Sequence, residues 1–315
     1  MVRGRVAHRF GRRAVGAAAG LVLDRLLGEP PVPPRLHPVA LFGTGVSAVE
    51  ARIYDDRRAP GAALTAGGVG VAALAGAALR SPTAGSYLAA AGRGLHDAAL
   101  AVAGALDAGD LAGARGLLPS LVGRDPTGLD EAAIARAVVE SVAENTTDAV
   151  VAPALWTAAA GSVGAFAHRA GDTLDSMVGY RTARYARFGT PAARLDDALA
   201  WAPARATAAL VALARPRRAA AVVRTVRTDA RHHPSPNAGV AEAAFAAALG
   251  LRLGGGENRY GDAVDTRPPL GTGRDPGRSD IHAAVDLSRD VTWLLATLLA
   301  GAGGAALAAG RKAAR

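Results

Sequence analysis

Long stretches without a formal charge restrict the fold of this chain more than any other feature. Ala59–Leu79 is 21 uncharged residues between Arg58 and Arg80, and Val291–Gly310 is 20 between Asp290 and Arg311. Each matches the roughly 20 residues an α-helix needs to cross the apolar core of a bilayer. Ala149–Ala167 adds 19 more, interrupted by Pro153, Gly161 and Gly164. Ala198–Ala214 is a weaker fourth stretch, with Arg205 inside it. The competing reading is a set of buried helices in a soluble bundle, since alanine and glycine prefer lipid less than leucine does. Aromatic residues are only 4% of the chain, and no sustained alternation of β-branched residues announces a sheet. The expectation is an all-α, multi-pass membrane protein with amphipathic helical loops, built as one integral-membrane domain over residues 1–315.

Local signals fill in this outline. Arg3, Arg5, Arg9, Arg12 and Arg13 precede the apolar Ala14–Leu23, as in a signal peptide, but no small-residue cleavage site follows. We read an uncleaved helix at the membrane with a cytoplasmic basic start. The polar region 86–148 reads as three amphipathic helices, with starts at Asp110 and Asp130 and stops at Gly109 and Gly123. The polar region 215–290 holds one clear helix, about Ala238 to Leu253. A glycine-rich loop, Gly254–Gly261, and a link at Gly271–Ser279 come after it.

Composition excludes several chemistries. The formal charge is +9, nearly all arginine, and the only lysine is Lys312. A lysine P-loop and an internal Schiff-base lysine are therefore ruled out. Without cysteine there is no thiol catalysis, disulfide or thiolate metal site. Bound phosphate would have to be held by arginines, helix N-termini or metal ions. Nucleic acid is not an expected partner, because the arginines are scattered and not interleaved with stacking aromatics.

Glu140, Glu144 and Asp148 are spaced four apart, and on an α-helix such positions drift only about 40° per step. Three acids on one stripe repel each other unless a cation or basic partner intervenes. With Asn145 they form an oxygen-ligand set suited to Mg²⁺ carrying phosphate. A solvated helix face is the plainer explanation, but acids near a helix C-terminus oppose the macrodipole. A second cluster holds Asp172, Asp175, Tyr180 and Arg181, and Asp196–Asp197 is a third acidic pair. Caps and surface ion pairs would explain these as well. His233 and Asn237 precede the helix bearing Glu242, where Ser235 or Asn237 as N-cap is the economical reading. Arg124, in the turn Gly123-Arg-Asp-Pro-Thr127, is a candidate phosphate contact, and the loop holding Asn258 could cradle phosphate with backbone N–H groups. If 149–167 crossed the bilayer, the first two clusters would lie on opposite faces. A re-entrant 149–167 would let both serve one site.

The ordered series DRLLGEP from residue 24, HPV at 37, VGRD at 122, ESVAENTTDAVVAP at 140, DTLDSMVGYR at 172, ARLDDALAWAPAR at 193, HPSPNAGVAEA at 233 and ALGLRLGGGENRYG at 248 resembles a known family. It is similar to the adenosylcobinamide-phosphate synthases of cobalamin biosynthesis, the CbiB/CobD family, from about residue 21 to about residue 300. Two positions depart from that pattern. Asp172 stands where the family usually has Asn, and Pro126 where it tends to have Thr.

The resemblance implies a multi-pass inner-membrane enzyme with its active face cytoplasmic, surrounded by lipid. It implies ATP-dependent amide formation between cobyric acid and aminopropanol or its phosphate, with Mg²⁺ as cofactor. In that reading Glu140, Glu144, Asn145 and Asp148 hold Mg²⁺, and Asp172 or Asp175 is a second ligand or the base for the amine. Arg124 and Arg181 hold phosphate, and Tyr180, Asp196, Asp197, His233, Asn237, Glu242 and Asn258 line the substrate side. A complex with other cobalamin-assembly proteins is a further expectation. Competing readings are a non-catalytic subunit of a corrinoid synthesis or transport complex, and an alcohol phosphotransferase. The DGxxAR…GxxxD…D pattern expected of the CDP-alcohol type is absent.

Overall fold

The computed structural model describes residues 2–180, 182–260 and 263–313, with side chains at all of these except 2, 3, 34, 257–260 and 263–266. In chain order the helices are α1 (Val2–Leu27), α2 (Pro38–Ile53), α3 (Arg58–Leu79), α4 (Pro82–Ala89), α5 (Gly92–Asp107), α6 (Leu111–Leu117) and α7 (Glu131–Thr146). A π-helical turn, Thr147–Val151, leads to α8 (Ala152–Ala160), α9 (Ser162–Val178), α10 (Thr190–Ala214), α11 (Ala219–Thr228), α12 (Ala238–Leu249) and α13 (Arg278–Lys312). Strands β1 (Glu257–Tyr260) and β2 (Ala263–Thr266) pair antiparallel. The fold is thus helical, as composition leads one to expect. The hairpin is an addition, placed where glycines end the helical text.

The chain divides into two compact units of interleaved segments: residues 1–91, 152–200 and 296–315, and residues 92–151 and 201–295. In the first, α3 packs on α9, α1 on α4 and α8, and α8 on α9. Val46, Leu64, Leu174, Val178, Phe188 and Ala192 form one buried cluster, with the Tyr54 ring 5.2 Å from that of Phe188. Glu50 reaches this region from α2, accepting from Tyr185 Oη at 2.8 Å and pairing with Arg184 at 3.0 Å. Small residues set how closely the helices approach. A Cβ on Gly61 of α3 would collide with the Phe188 carbonyl oxygen, whereas one on Gly67 of the same helix would meet nothing within 4 Å.

In the second unit α12 is the central helix, with every residue from Ala238 to Ala248 buried. It packs on α7 and α11, and α5 packs on α6 and α7. The aspartates chosen from sequence as helix starts act as caps: Asp110 Oδ1 accepts from the Gly113 N–H and Asp130 Oδ1 from the Ala133 N–H. Ser235 Oγ does the same ahead of α12, accepting from Asn237 and Ala238. That helix ends earlier than expected, because Gly250 adopts a left-handed conformation that closes it.

Among the described residues, α3 and α13 are the helices long and apolar enough to cross a membrane. The stretch 149–167 does not form one such helix. It passes from the π-helical turn through the nine-residue α8 and breaks at Gly161, whose φ of 71° is left-handed, before α9 packs against α8. Nine residues span only about 14 Å, well short of a bilayer core. The stretch 198–214 lies within α10, which also carries Arg194, Asp196 and Asp197.

The contrast between Gly61 and Gly67 is testable by thermal unfolding in detergent. Gly61→Ala should lose about 1–3 kcal/mol through overpacking, and Gly67→Ala should be nearly neutral.

Candidate functional site

Two buried carboxylates organise the polar interior of the second unit. Glu140, on the inner face of α7, is 2% exposed. Its Oε2 accepts from Arg124 Nη2 at 2.6 Å, and its Oε1 accepts from the Gly254 N–H at 2.8 Å. Arg136, one turn earlier on α7, brings Nε to 3.9 Å of the same oxygen. Three distant segments therefore meet on one side chain: the turn before α7, α7 itself and the glycine loop. Gly254 and Gly255 have φ of 65° and 71°, and a Cβ on Gly254 would collide with the Pro268 carbonyl. Glycine is needed for the chain to turn back here.

Glu242 lies in the middle of α12 with no exposed surface. Arg267 Nη1 approaches its Oε1 at 3.3 Å. Its Oε2 is buried without a hydrogen-bond donor, and His233 Nε2 stands 3.8 Å away. His233 is held in turn, with Nδ1 3.1 Å from both N and O of Ser235. Burial pushes the Glu242 carboxyl well above its ordinary value of 4.5. The charges of Glu140 and Glu144 push it further, while Arg267 and Arg124 pull it back. Glu140, Glu144 and Glu242 thus share one electrostatic neighbourhood with those arginines.

Around this buried floor stand partly exposed groups. The side chains of Arg136 and Arg267 are 24% and 17% exposed. Glu144, Asn145 and Asp148 are half-buried. Asn145 Nδ2 donates to the Ser141 carbonyl at 2.9 Å. Asp148 lies in the π-helical turn, where the i→i+5 repeat shifts it from the phase of a continuous α-helix. No group of three or more His, Asp or Glu side chains able to hold a metal ion occurs among the described residues. Both Glu140 oxygens face protein donors. The backbone N–H groups of Gly254 and Gly255 are also engaged, by Glu140 and the Arg267 carbonyl, so they do not form a phosphate cradle.

The other residues chosen from sequence are more widely distributed. Asn237 Oδ1 accepts from Arg205 Nη1 at 2.8 Å. Asp172 and Asp175 lie on α9 in the first unit, and Asp172 pairs with Arg169 at 3.1 Å. Tyr180, just past α9, is exposed, and Asp196 and Asp197 are half-buried near the start of α10. Arg181 and the side chain of Asn258 lie outside the described residues. Sequence reasoning missed Arg136 and Arg267. Arg136 could have been found as the i−4 neighbour of Glu140, whereas Arg267 carries no local signal.

Comparison with known proteins gives a consistent picture. The family model described as CobD/Cbib protein matches residues 17–288. A "Cobalamin biosynthesis protein CobD" of Mycobacterium tuberculosis is 46% identical over 292 residues, 89% of this chain and 92% of that protein. Proteins of the same name from Chromobacterium violaceum and Pelobacter propionicus are 44% identical over 297 residues and 40% over 284. These cover 88% and 83% of this chain and 93% and 85% of the relatives. No solved structure matches the chain.

Two outcomes test the floor. Glu140→Ala leaves Arg124 buried without its carboxylate and should cost about 3–5 kcal/mol in unfolding. A well-packed apolar pair at 124 and 140 should recover most of that loss. For Glu242, a folded pKa above the unfolded value means the native state binds the extra proton. Its contribution to stability is complete below 4.5 and is lost as pH rises through the raised folded value. Thermal unfolding across pH should show Glu242→Gln gaining on the wild type as pH rises through that window.

Proposed function

The chain belongs to the CobD/Cbib protein family, and we propose from that premise that it is a membrane enzyme of cobalamin biosynthesis that forms an amide at the expense of ATP. The substrates in this reading are cobyric acid and aminopropanol or its phosphate. The observation that carries it is the pair of buried carboxylates, Glu140 and Glu242, each with one arginine at a partly exposed rim, Arg136 and Arg267. Such a floor suits a site that must bind and orient anionic groups.

The chemistry makes definite demands. A corrin propionate oxygen takes the γ-phosphoryl group, releasing ADP. The amine nitrogen then attacks the acyl carbon, phosphate leaves, and the amine gives up a proton. Arg136 and Arg267 are assigned to the phosphate and carboxylate oxygens. Glu140 and Glu242 are positioning residues that aim these guanidinium groups. Glu140 is better suited to this than to a metal, since protein donors already meet both its oxygens.

A divalent cation fits the remaining acids in the manner usual for Mg²⁺, which needs only one or two carboxylates beside water and phosphate. Glu144 and Asp148, helped by Asn145, would hold it, and it would supply neutralisation of phosphate charge. By the resemblance, Asp172 and Asp175 are proposed to receive the amine and its proton. Helices α3 and α13 support placement in the cell membrane, with lipid as the surrounding partner. The cytoplasmic location of the active face, and association with other cobalamin-assembly proteins, belong to the same reading.

The test is ATP-dependent consumption of cobyric acid by membranes containing the protein, with aminopropanol and its phosphate offered separately. Glu144→Ala and Arg267→Ala should each lower kcat/KM by about 100-fold. Normal amide formation without ATP, or by Glu144→Ala at the wild-type rate, would overturn the assignment.

A further inference from the structure

Arg5, Arg9, Arg12, Arg13, Arg80 and Arg311, with His8, line one cleft of about 810 Å³ in the first unit. Among the described residues no carboxylate lines it, and none of the six arginines makes an ion pair. One of them has a fixed position, since Arg13 Nη1 donates to the Ala159 carbonyl at 2.7 Å. So many like charges around one cavity repel each other unless an anion enters. The cleft is of ligand size, and guanidinium forks match phosphate oxygens two at a time.

Position in the fold identifies the source of the anion. Helix α3 ends immediately before Arg80, and α13 ends beyond Arg311. Among the described residues these are the two helices long and apolar enough to cross a membrane. The outer surface of α3 remains apolar close to the cleft, with Val71 and Leu74 64% and 72% exposed. Close backbone packing holds the walls together: a Cβ on Gly11 of α1 would come within 2.7 Å of the Gly303 carbonyl of α13. An apolar, lipid-facing surface that ends in a ring of arginines is the pattern of a bilayer's headgroup level. The lining shares no residue with the candidate site around Glu140 and Glu242, and the arginines at 5, 9, 12 and 13 precede residue 17, where the family match begins.

We propose that this cleft binds the phosphate of an anionic phospholipid, in the leaflet at which α3 and α13 end. The proposal rests on the membrane reading above. A lipid bound there would pin the start of α1 and the ends of α3 and α13 to one headgroup and fix their depth in the bilayer.

The experiment uses the full-length protein in nonionic detergent, with lipid retention measured by native mass spectrometry. Phosphatidylglycerol and phosphatidylcholine are offered at equal concentration. The wild type should retain phosphatidylglycerol selectively. The triple variant Arg9→Gln/Arg12→Gln/Arg80→Gln should lose about 100-fold in that retention, near fivefold for each arginine removed. Its thermal transition and ATP-dependent turnover should match the wild type. Equal retention of the two lipids by the wild type would overturn the proposal, and so would unchanged selectivity in the folded triple variant. Displacement of the lipid by inorganic phosphate at matched concentration would also overturn it, by showing a site for free anions. Alkaline carbonate extraction of membranes separates the two readings. Release of the wild type overturns the membrane placement and the lipid site together, whereas resistance without lipid selectivity overturns the lipid site alone.

Discussion

The carboxylate of Glu140 is the interaction on which the second unit's polar interior depends. A buried guanidinium and a buried backbone N–H each need an acceptor, and leaving either without one is costly. Glu140 supplies both from a single side chain on α7. The turn carrying Arg124 and the loop carrying Gly254 are thereby fixed to the same helix. The link adds to the backbone bonds between Leu253 and Leu270 and between Gly255 and Arg267 that hold the glycine loop, whose two left-handed residues cost backbone entropy. The same link sets the position of Arg267, whose carbonyl receives the Gly255 N–H while its guanidinium meets Glu242.

A different constraint governs the first unit. Beside the apolar cluster around Phe188, its helices present small residues to one another at several crossings, where contact is made between backbones. Gly61 meets the Phe188 carbonyl, Gly76 meets the Ser162 carbonyl, and Gly11 meets that of Gly303. In water such surfaces would bury little apolar area per residue. In lipid, where helices gain nothing by removing apolar surface from the surroundings, close backbone approach and dispersion are what remain. The low aromatic content of the sequence and the exposed apolar face of α3 are two aspects of the same packing.

How much of this could be read beforehand depended on whether the cause was local. Helix starts were legible, because a cap is a contact between residues three apart, as at Asp110 and Asp130. The acid stripe was legible as a cluster but not in its roles. Spacing reveals that Glu140 and Glu144 share a face, but not that a turn 16 residues away supplies the cation for one of them. The π-helical turn and the break at Gly161 interrupt a stretch that composition alone makes look continuous. Arg267 reaches Glu242 from 25 residues further along the chain, through a segment whose glycines signal only that the chain turns.

Charge accounting around the floor bears on what the site needs when it works. Glu140, Glu144 and Glu242 are opposed by Arg124, Arg136 and Arg267, three acids against three arginines. With Glu242 protonated, as its raised pKa favours, the set carries one net positive charge. A propionate would cancel that charge and leave none within this set of six to offset a nucleotide polyphosphate. An ATP-dependent reaction at this site therefore needs a further cation. Glu144 and Asp148 are suited to hold it because the stripe's other acid, Glu140, is already committed to the protein. Within the protein itself Arg124 neutralises the first acid of the stripe, Glu140, and so relieves part of the repulsion that made the stripe conspicuous.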